Sequence, residues 1–427
     1  MLKHGHRKAG FMQNKGKKTL HYAYIILLSL ILQKFIIAAE PSVNGLFLLP
    51  VTRSLQITQG SFMLYQTVQY ASLAAMSTVI PKLMERFRYT SLNRLGLISM
   101  SCGIACMGMA QNVWMFYIGG ALNGIGLAVS NFLLLGTMIP RWFSSNVGLL
   151  IATATLGGTA SSIIANPLIS RLLDQGQMVG LPAWRVAYFL LALLPISFGL
   201  LNAVLLMKES PEDLGLQKCG TESQRKQGQV KKRGVAKEQA FKGKAFLWLI
   251  LTVIAWNVTS TMSAYLPAYA ETVLPSGGQE LKGYIGLATT IGSLLGVYLL
   301  GFFNDRSGAK AGAVLAAAFG VSGCLMMVLG RNSAHLIWLG AAVLGVYMAL
   351  NSVQLPAMVS DMYGDLDYDQ IFQRVSSIAA WFGAFSASFW GFLYDTCGNY
   401  MPMLLLAAAL CMLTGCAGVW ATKKKYQ

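Results

Sequence analysis

Charge is what this sequence has least of. Of its 427 residues only 11% are charged, 33 of them basic and 16 acidic, where a soluble domain carries roughly 25%. A chain so poor in charge cannot be bathed in water over most of its length. Histidine is scarcer still: His4, His6, His21 and His335 are scattered among ends and loops, which removes the commonest general base and metal ligand. None of the seven cysteines stands at zinc spacing, and no disulfide framework is visible. Cys102, Cys106, Cys324, Cys411 and Cys416 lie inside apolar runs and read as small fillers. With no nucleophile–base pair and no phosphate loop, neither an enzyme nor a bound cofactor or metal is expected. A cleavable signal peptide is not expected either, because the first apolar run is too long and lacks a small-residue cleavage site.

What is present is apolar. Hydrophobic residues make up 55% of the chain, and Leu20–Phe35, Leu92–Ala110, Ala311–Gly330 and Met401–Ala421 are long runs with almost no charge. About 20 such residues carry a helix across the hydrocarbon core. Only helices and closed barrels satisfy every backbone group in lipid, and these runs are too long for barrel strands. An all-α membrane protein is therefore expected. Twelve transmembrane helices can be drawn, at 20–48, 60–84, 92–110, 113–139, 146–173, 182–207, 244–273, 283–303, 311–330, 334–358, 370–394 and 400–421. The first and seventh are too long to be straight. Each holds a proline in its outer part, Pro41 and Pro267, where a kink or tilt is expected.

The net charge of +17 is concentrated. Six Lys/Arg lie between Met1 and Lys18, ten between Lys208 and Lys244, and three at Lys423, Lys424 and Lys425. Basic residues held in the cytosol orient a membrane protein. With the N-terminus inside, cytosolic segments hold 26 of the 33, and the outer loops hold Arg53, Arg171, Arg185, Lys282 and Arg331. Both termini are then cytoplasmic, and a nucleic-acid partner is not expected. The chain divides into a basic tail at 1–19, a bundle at 20–207, a flexible linker with a surface-lying helix at 208–243, a second bundle at 244–422 and a basic tail at 423–427.

Sliding the second half of the chain back over the first brings polar landmarks together. Glu85-Arg86 meets Asp305-Arg306, Gln111-Asn112 meets Arg331-Asn332, Asn131 meets Asn351, and Asp174 meets Asp395, each pair at the same topological place. The expected architecture is two pseudo-symmetric six-helix bundles, with solute sites near the bilayer midplane between them.

Gly301-Phe-Phe-Asn-Asp305-Arg306-Ser-Gly308-Ala-Lys310 ends the eighth span, and Pro81-Lys-Leu-Met-Glu85-Arg86-Phe-Arg88 is a degenerate copy after the second. Such charges can hold partners across the halves and release them as the halves rock. These segments resemble the G-x-x-x-D-R-x-G-x-K loops of the major facilitator superfamily, and the resemblance covers nearly the whole chain. Pro140-Arg-Trp142-Phe143, Gly157-Gly158, Pro167-Leu168, Trp184-Arg185 and Tyr394-Asp395 with Gly398 and Tyr400 look like the oxalate–formate antiporter and monocarboxylate porter branch. That branch implies a membrane-embedded arginine in helix eight and a lysine in helix eleven to bind carboxylate. Neither is present; Gly283–Phe303 has no basic residue.

Charges inside the membrane are functional candidates. Lys34 lies near the middle of the first span, with Glu40 further outward and Asn44 one turn beyond it. Lys34 can oppose an anionic solute, and Glu40 can carry a coupling proton. Alternatively the two neutralise each other or snorkel. Arg374 opens the eleventh span beside Asp361, Asp365, Asp367 and Asp369, to one of which a salt bridge is expected. Polar stripes mark a cavity: Tyr347, Asn351 and Gln354 on one helix face, Asn123, Ser130 and Asn131 on another, Asn257 and Tyr265 in the seventh span, Gln66 and Gln69 in the second. Neutral hydrogen-bonding groups of this kind orient a ligand in an apolar pocket; helix–helix contact is the plainer alternative. Glycines 119, 120, 124 and 126 lie in an apolar run with no preceding strand and read as packing residues.

The expected function is secondary active transport of a small organic solute, a carboxylate being one class, by alternating access. Efflux of amphipathic cations or drugs, and a non-transporting membrane sensor, are the alternatives. The expected partners are the solute, a co-transported proton or exchanged anion, and the lipid bilayer. A monomer in a bacterial plasma membrane is expected, with gating assigned to Glu85, Arg86, Asp305, Arg306, Lys310 and Arg374.

Overall fold

A computed structural model describes residues 22–132, 138–144, 147–219, 234–274, 278–364 and 366–422. Its elements follow one another as helices: α1 (Tyr22–Val43), α2 (Leu48–Leu55), α3 (Gln59–Met84), α4 (Tyr89–Gly108), α5 (Val113–Leu127), α6 (Ile139–Trp142), α7 (Val147–Leu173), α8 (Ala183–Leu193) and α9 (Leu200–Leu205). After the linker come α10 (Lys237–Lys242), α11 (Lys244–Thr261), α12 (Leu266–Val273), α13 (Gly278–Leu329), α14 (Ala334–Met348), α15 (Leu350–Tyr363), α16 (Tyr368–Cys397) and α17 (Met401–Thr422). A two-stranded hairpin, β1 (Gln177–Met178) and β2 (Leu181–Pro182), joins α7 to α8. Eight described segments are long and apolar enough to cross a membrane, among them Tyr22–Leu55, Lys244–Val273 and the 49-residue Leu281–Leu329. The 52-residue α13 is broken at Gly308, whose φ of 79° lies in the left-handed region.

Local chemistry sets the helix ends. Thr58 accepts from the Ser61 N–H to start α3, and Asn112 accepts from the Met115 N–H to start α5. Gly398, at φ 70°, ends α16. The bends at spans one and seven fall just beside the prolines. A 3-10 turn at Asn44–Phe47 separates α1 from α2, shortly past Pro41, and a second at Met262–Tyr265 separates α11 from α12, with Pro267 in the first turn of α12. The two breaks occupy matching places in the two halves, so the repeat that aligns the polar landmarks also aligns the bends.

Exposure is inverted relative to a soluble protein. Leu28, Leu149, Leu168, Leu247, Leu295 and Leu405 are each more than half exposed, while Ser29, Gln33, Asn93, Asn123 and Thr414 are fully buried. This is the arrangement of a bundle whose solvent is lipid, where helices associate through polar and small side chains.

The linker is not a free strand over its described length. The Cys219 N–H bonds the Trp142 carbonyl at 2.9 Å, and the Ser144 N–H bonds the Cys219 carbonyl at 3.0 Å. At its other end the Val235 N–H bonds the Tyr363 carbonyl at 3.0 Å, and the Lys237 N–H bonds the Asp367 carboxylate at 2.9 Å. The expected surface helix is α10. The two docking points, after α6 and after α15, are again repeat mates. The end of the bundle carrying them is called the linker side below, and the opposite end the far side.

Candidate functional site

A cavity of about 1310 Å³ lies between the two groups of helices. Pro41, Asn44 and Gly45 from the end of α1, and Ser263, Ala264 and Pro267 from the matching break before α12, form its floor near the far side. The walls run along α3, α7, α11, α13 and α16 to Pro81, Phe372 and Gln373, which stand at the linker-side ends of α3 and α16. The cavity therefore opens to the linker side.

Its far side is closed by contacts between the halves. The 3-10 turns meet at Gly45, where a Cβ would press into the Ala264 carbonyl of the other half. Arg53 pairs with Glu271 at 2.8 Å, Lys282 with Asp174 at 2.7 Å, and Lys282 with Glu271 at 3.3 Å. Lys282 is only 7% exposed, so this chain of four charges is anchored on a buried cation. The Asp395 carboxylate accepts the N–H groups of Gln59 at 3.0 Å and Gly60 at 2.8 Å, the first residues of α3. A carboxylate there complements both the orphan donors and the helix dipole. Beside it, Gln59 and Tyr400 hydrogen bond at 2.8 Å, and Thr67 donates to the Ala384 carbonyl at 2.7 Å.

The sequence-chosen residues fall into distinct places. Asn44, Gln66 and Asn257 line the cavity. Glu40 is 1% exposed and lies behind the wall, inside the first bundle. Its Oε2 accepts from Asn123 Nδ2 at 2.9 Å and from Gln69 Nε2 at 3.4 Å. Among the described residues Glu40 Oε1, Asn123 Oδ1, Gln66 Nε2 and the hydroxyls of Tyr65 and Tyr188 have no hydrogen-bond partner. Lys34 sits at the seam of α1 and α7, with its Cβ close to Gly157, and does not line the cavity. Tyr265 donates to the Ala387 carbonyl, Tyr347 bonds Thr414 at 2.8 Å, and Gln354 donates to the Ala309 carbonyl; all three are buried in contacts within the second bundle, not in the cavity. The side chains of Asn131 and Asn351 lie outside the described residues.

Glu85, Arg86, Asp305, Arg306 and Lys310 are exposed on the linker side. Among the described residues none of them forms an ion pair, because the halves are apart at that end. Arg374 is also exposed. The salt bridge expected for it does not form among the described residues; Asp367 accepts the Lys237 N–H instead, while Asp365 and the Asp369 side chain lie outside them.

Sequence reasoning missed the far-side closure. Asp174 and Asp395 stood out as repeat mates but were given no task. Each reaches from the end of a helix to the start of one in the other half: Asp174 from α7 to Lys282 in α13, Asp395 from α16 to α3. Glu271 and Lys282 carry no motif, and only the fold brings them together.

These features place the chain in a family. The profile described as Major Facilitator Superfamily matches residues 30–372, so the chain belongs to that superfamily, and it is a membrane transporter rather than an enzyme. It is similar to an uncharacterized transporter, YycB, of Bacillus subtilis (strain 168), at 23% identity over 417 residues, covering 94% of this chain and 93% of that protein. Among solved structures it resembles the nucleoside transporter NupG (TM-score 0.71, 11% identity, 95% of this chain and 100% of that one). It also resembles a D-xylose-proton symporter (TM-score 0.70, 12% identity, 95% and 98%). A bacterial homologue of the human lysosomal transporter Spinster, inward-facing and occupied, superimposes with a TM-score of 0.69 at 13% identity over 95% and 97% of the two chains. At such identities the likeness is one of fold.

Proposed function

We propose that this chain is a secondary transporter for a small uncharged solute, held here in the state open to the cytosol. The observation that carries the reading is the lining of the cavity. None of the described residues that line its 1310 Å³ is Asp, Glu, Lys, Arg or His. An anion or cation taken from water into such a site would lose its hydration without a counter-charge, at a cost of several kcal/mol. This weighs against the carboxylate and the amphipathic cation alike. It agrees with the missing basic residues of Gly283–Phe303. The nucleoside and xylose carriers it resembles in fold are named for uncharged solutes. The basic residues of the tails and linker support a cytosolic linker side. Alternating access follows: the far side opens when the Arg53–Glu271–Lys282–Asp174 chain and the Asp395 contact release, and the exposed Glu85, Arg86, Asp305, Arg306 and Lys310 close the other end.

The coupling ion in this reading is a proton at Glu40. Asn123 donates to one carboxyl oxygen, while the other oxygen and Asn123 Oδ1 are both acceptors without a donor. A proton on Glu40 Oε1 supplies the missing donor and completes an acid–amide pair. Gln66 and Tyr70, which line the cavity, flank Gln69 on α3, and Gln69 donates to Glu40, so this helix links the site to the solute.

The test is uptake in proteoliposomes. Labelled sugars, polyols and nucleosides are offered beside succinate and tetraphenylphosphonium, with and without an imposed pH gradient. Saturable movement of a neutral solute supports the reading; movement of only the charged probes defeats it.

A further inference from the structure

Most of the cavity's serine and threonine hydroxyls have their hydrogen committed within the protein. Ser77 donates to the Leu73 carbonyl at 2.7 Å, Ser260 to Trp256 at 2.9 Å, Ser263 to Ser260 at 2.7 Å, Thr290 to Gly286 at 2.7 Å and Ser377 to Gln373 at 2.8 Å. Each bonds back to its own helix, the usual resort of a Ser or Thr in an apolar helix interior. A hydroxyl has one hydrogen and two lone pairs. Once the hydrogen is turned into the helix, only acceptor capacity remains for a ligand.

The amides follow the pattern in part, Asn166 committing both of its N–H groups and Asn257 one of two. Asn257 Nδ2 donates to the Val253 carbonyl at 3.0 Å, and its Oδ1 is left beside Gly383 at the cavity. Asn166 Nδ2 donates to the Ser162 and Ser42 carbonyls at 2.8 and 3.2 Å. The donors that remain on the lining are the Trp381 indole, the hydroxyls of Tyr70 and Ser376, the second N–H of Asn257 and the amides of Asn44, Gln66 and Gln373. Each of those amides also brings a carbonyl, so acceptors stay in excess.

We infer that the cavity selects a solute rich in hydrogen-bond donors: a polyol, a sugar or a ribosyl compound carrying several free hydroxyls. The inference rests on the uncharged-solute reading and sharpens it. Trp381 and Tyr70, both partly exposed to the cavity, add apolar faces against which a sugar ring or a planar base can lie. An ether or ester of the same shape keeps the acceptors and loses the donors. It would set lone pairs against lone pairs, and a site built to bond a hydroxyl rejects the analogue lacking it by large factors.

The full-length protein in detergent is titrated with myo-inositol, glucose and uridine, with the fully O-methylated form of each, and with succinate and choline. Binding is read by calorimetry and by the thermal midpoint. The expected result is that at least one parent binds and that its methyl ether binds at least tenfold more weakly. In Ser260→Ala and Ser377→Ala variants the parent's affinity falls, while any residual affinity for the ether is unchanged. A methyl ether that binds as well as its parent overturns the donor rule and leaves the uncharged-solute reading standing. Binding of succinate or choline by a protein that ignores all the neutral probes overturns both. Silence toward all three hydroxylated parents also overturns the donor rule.

Discussion

The carboxylate of Asp395, at the end of α16, accepts the backbone N–H of Gly60 at 2.8 Å, at the start of α3 in the opposite half. With the bond to Gln59 N at 3.0 Å, it serves as an N-terminal cap supplied across the interface. A cap within one helix persists through a conformational cycle, whereas one supplied by the other half is lost when the halves separate. Asp395 thus belongs to the closed far side alone and biases the protein toward the linker-open state. Replacing it by alanine removes two charge-assisted bonds, each worth about 1.5–3 kcal/mol at most. A tenfold or larger shift toward the far-side-open state is expected, read as faster labelling of a cysteine introduced at Ser263, on the floor of the cavity, by a membrane-impermeant thiol reagent added from the far side.

Lys282 joins two carboxylates, Asp174 and Glu271, from different elements. Lys282→Met should destabilise the linker-open form by about 2 kcal/mol, below the 3–5 kcal/mol of a fully buried pair because Asp174 is 32% exposed. Adding Asp174→Leu should recover part of the loss, since the orphaned carboxylate is then gone. A double-mutant cycle on the thermal midpoint checks this; additive effects would show that the pair carries no coupling.

Gly45 has no room for a side chain against the Ala264 carbonyl. Gly45→Val should keep the 3-10 turns apart and hold the far side open, with the protein folded. Spin labels at exposed Gln56 in the first half and exposed Asn332 in the second report the separation by distance measurement. An unchanged distance would count against the closure described here.

Glu40→Gln keeps a side chain of the same shape that can still accept from Asn123. Stability should stay within about 1 kcal/mol of the parent. Accumulation driven by a pH gradient should fall to the equilibrative level while solute exchange persists. A variant that still concentrates solute against a gradient removes Glu40 from the coupling role.

Asn257→Leu and Gln66→Leu change lining residues without creating a charge. A loss of solute affinity of about tenfold to a hundredfold is expected, equivalent to 1.4–2.8 kcal/mol. The far-side labelling rates should be unchanged, which separates a ligand contact from a gating one.

The amino-acid sequence by itself determined the class of fold. Apolar run lengths, the asymmetry of Lys and Arg, and the repeat of polar landmarks between the halves are one-dimensional properties. They dictate helices, bundles and the two bent spans without reference to any contact. Helix-face arithmetic placed Asn44, Gln66 and Asn257 among the residues that reached the cavity. It could not separate them from Tyr347 and Gln354, which share the same polarity and spacing but bond within their own bundle. A stripe on a helix says that a face is polar, not which neighbour the face meets.

Only the tertiary structure decided the rest. Lys34 and Glu40 looked alike in sequence, as lone charges in one span. Packing turned Lys34 to the α1–α7 seam and Glu40 to Gln69 and Asn123, and kept both off the cavity wall. The far-side closure joins Arg53 to Glu271 and Asp395 to Gly60, partners that lie in opposite halves of the chain. Such contacts depend on how two bundles dock, and docking geometry is set by the summed shape of many side chains, which no local pattern encodes.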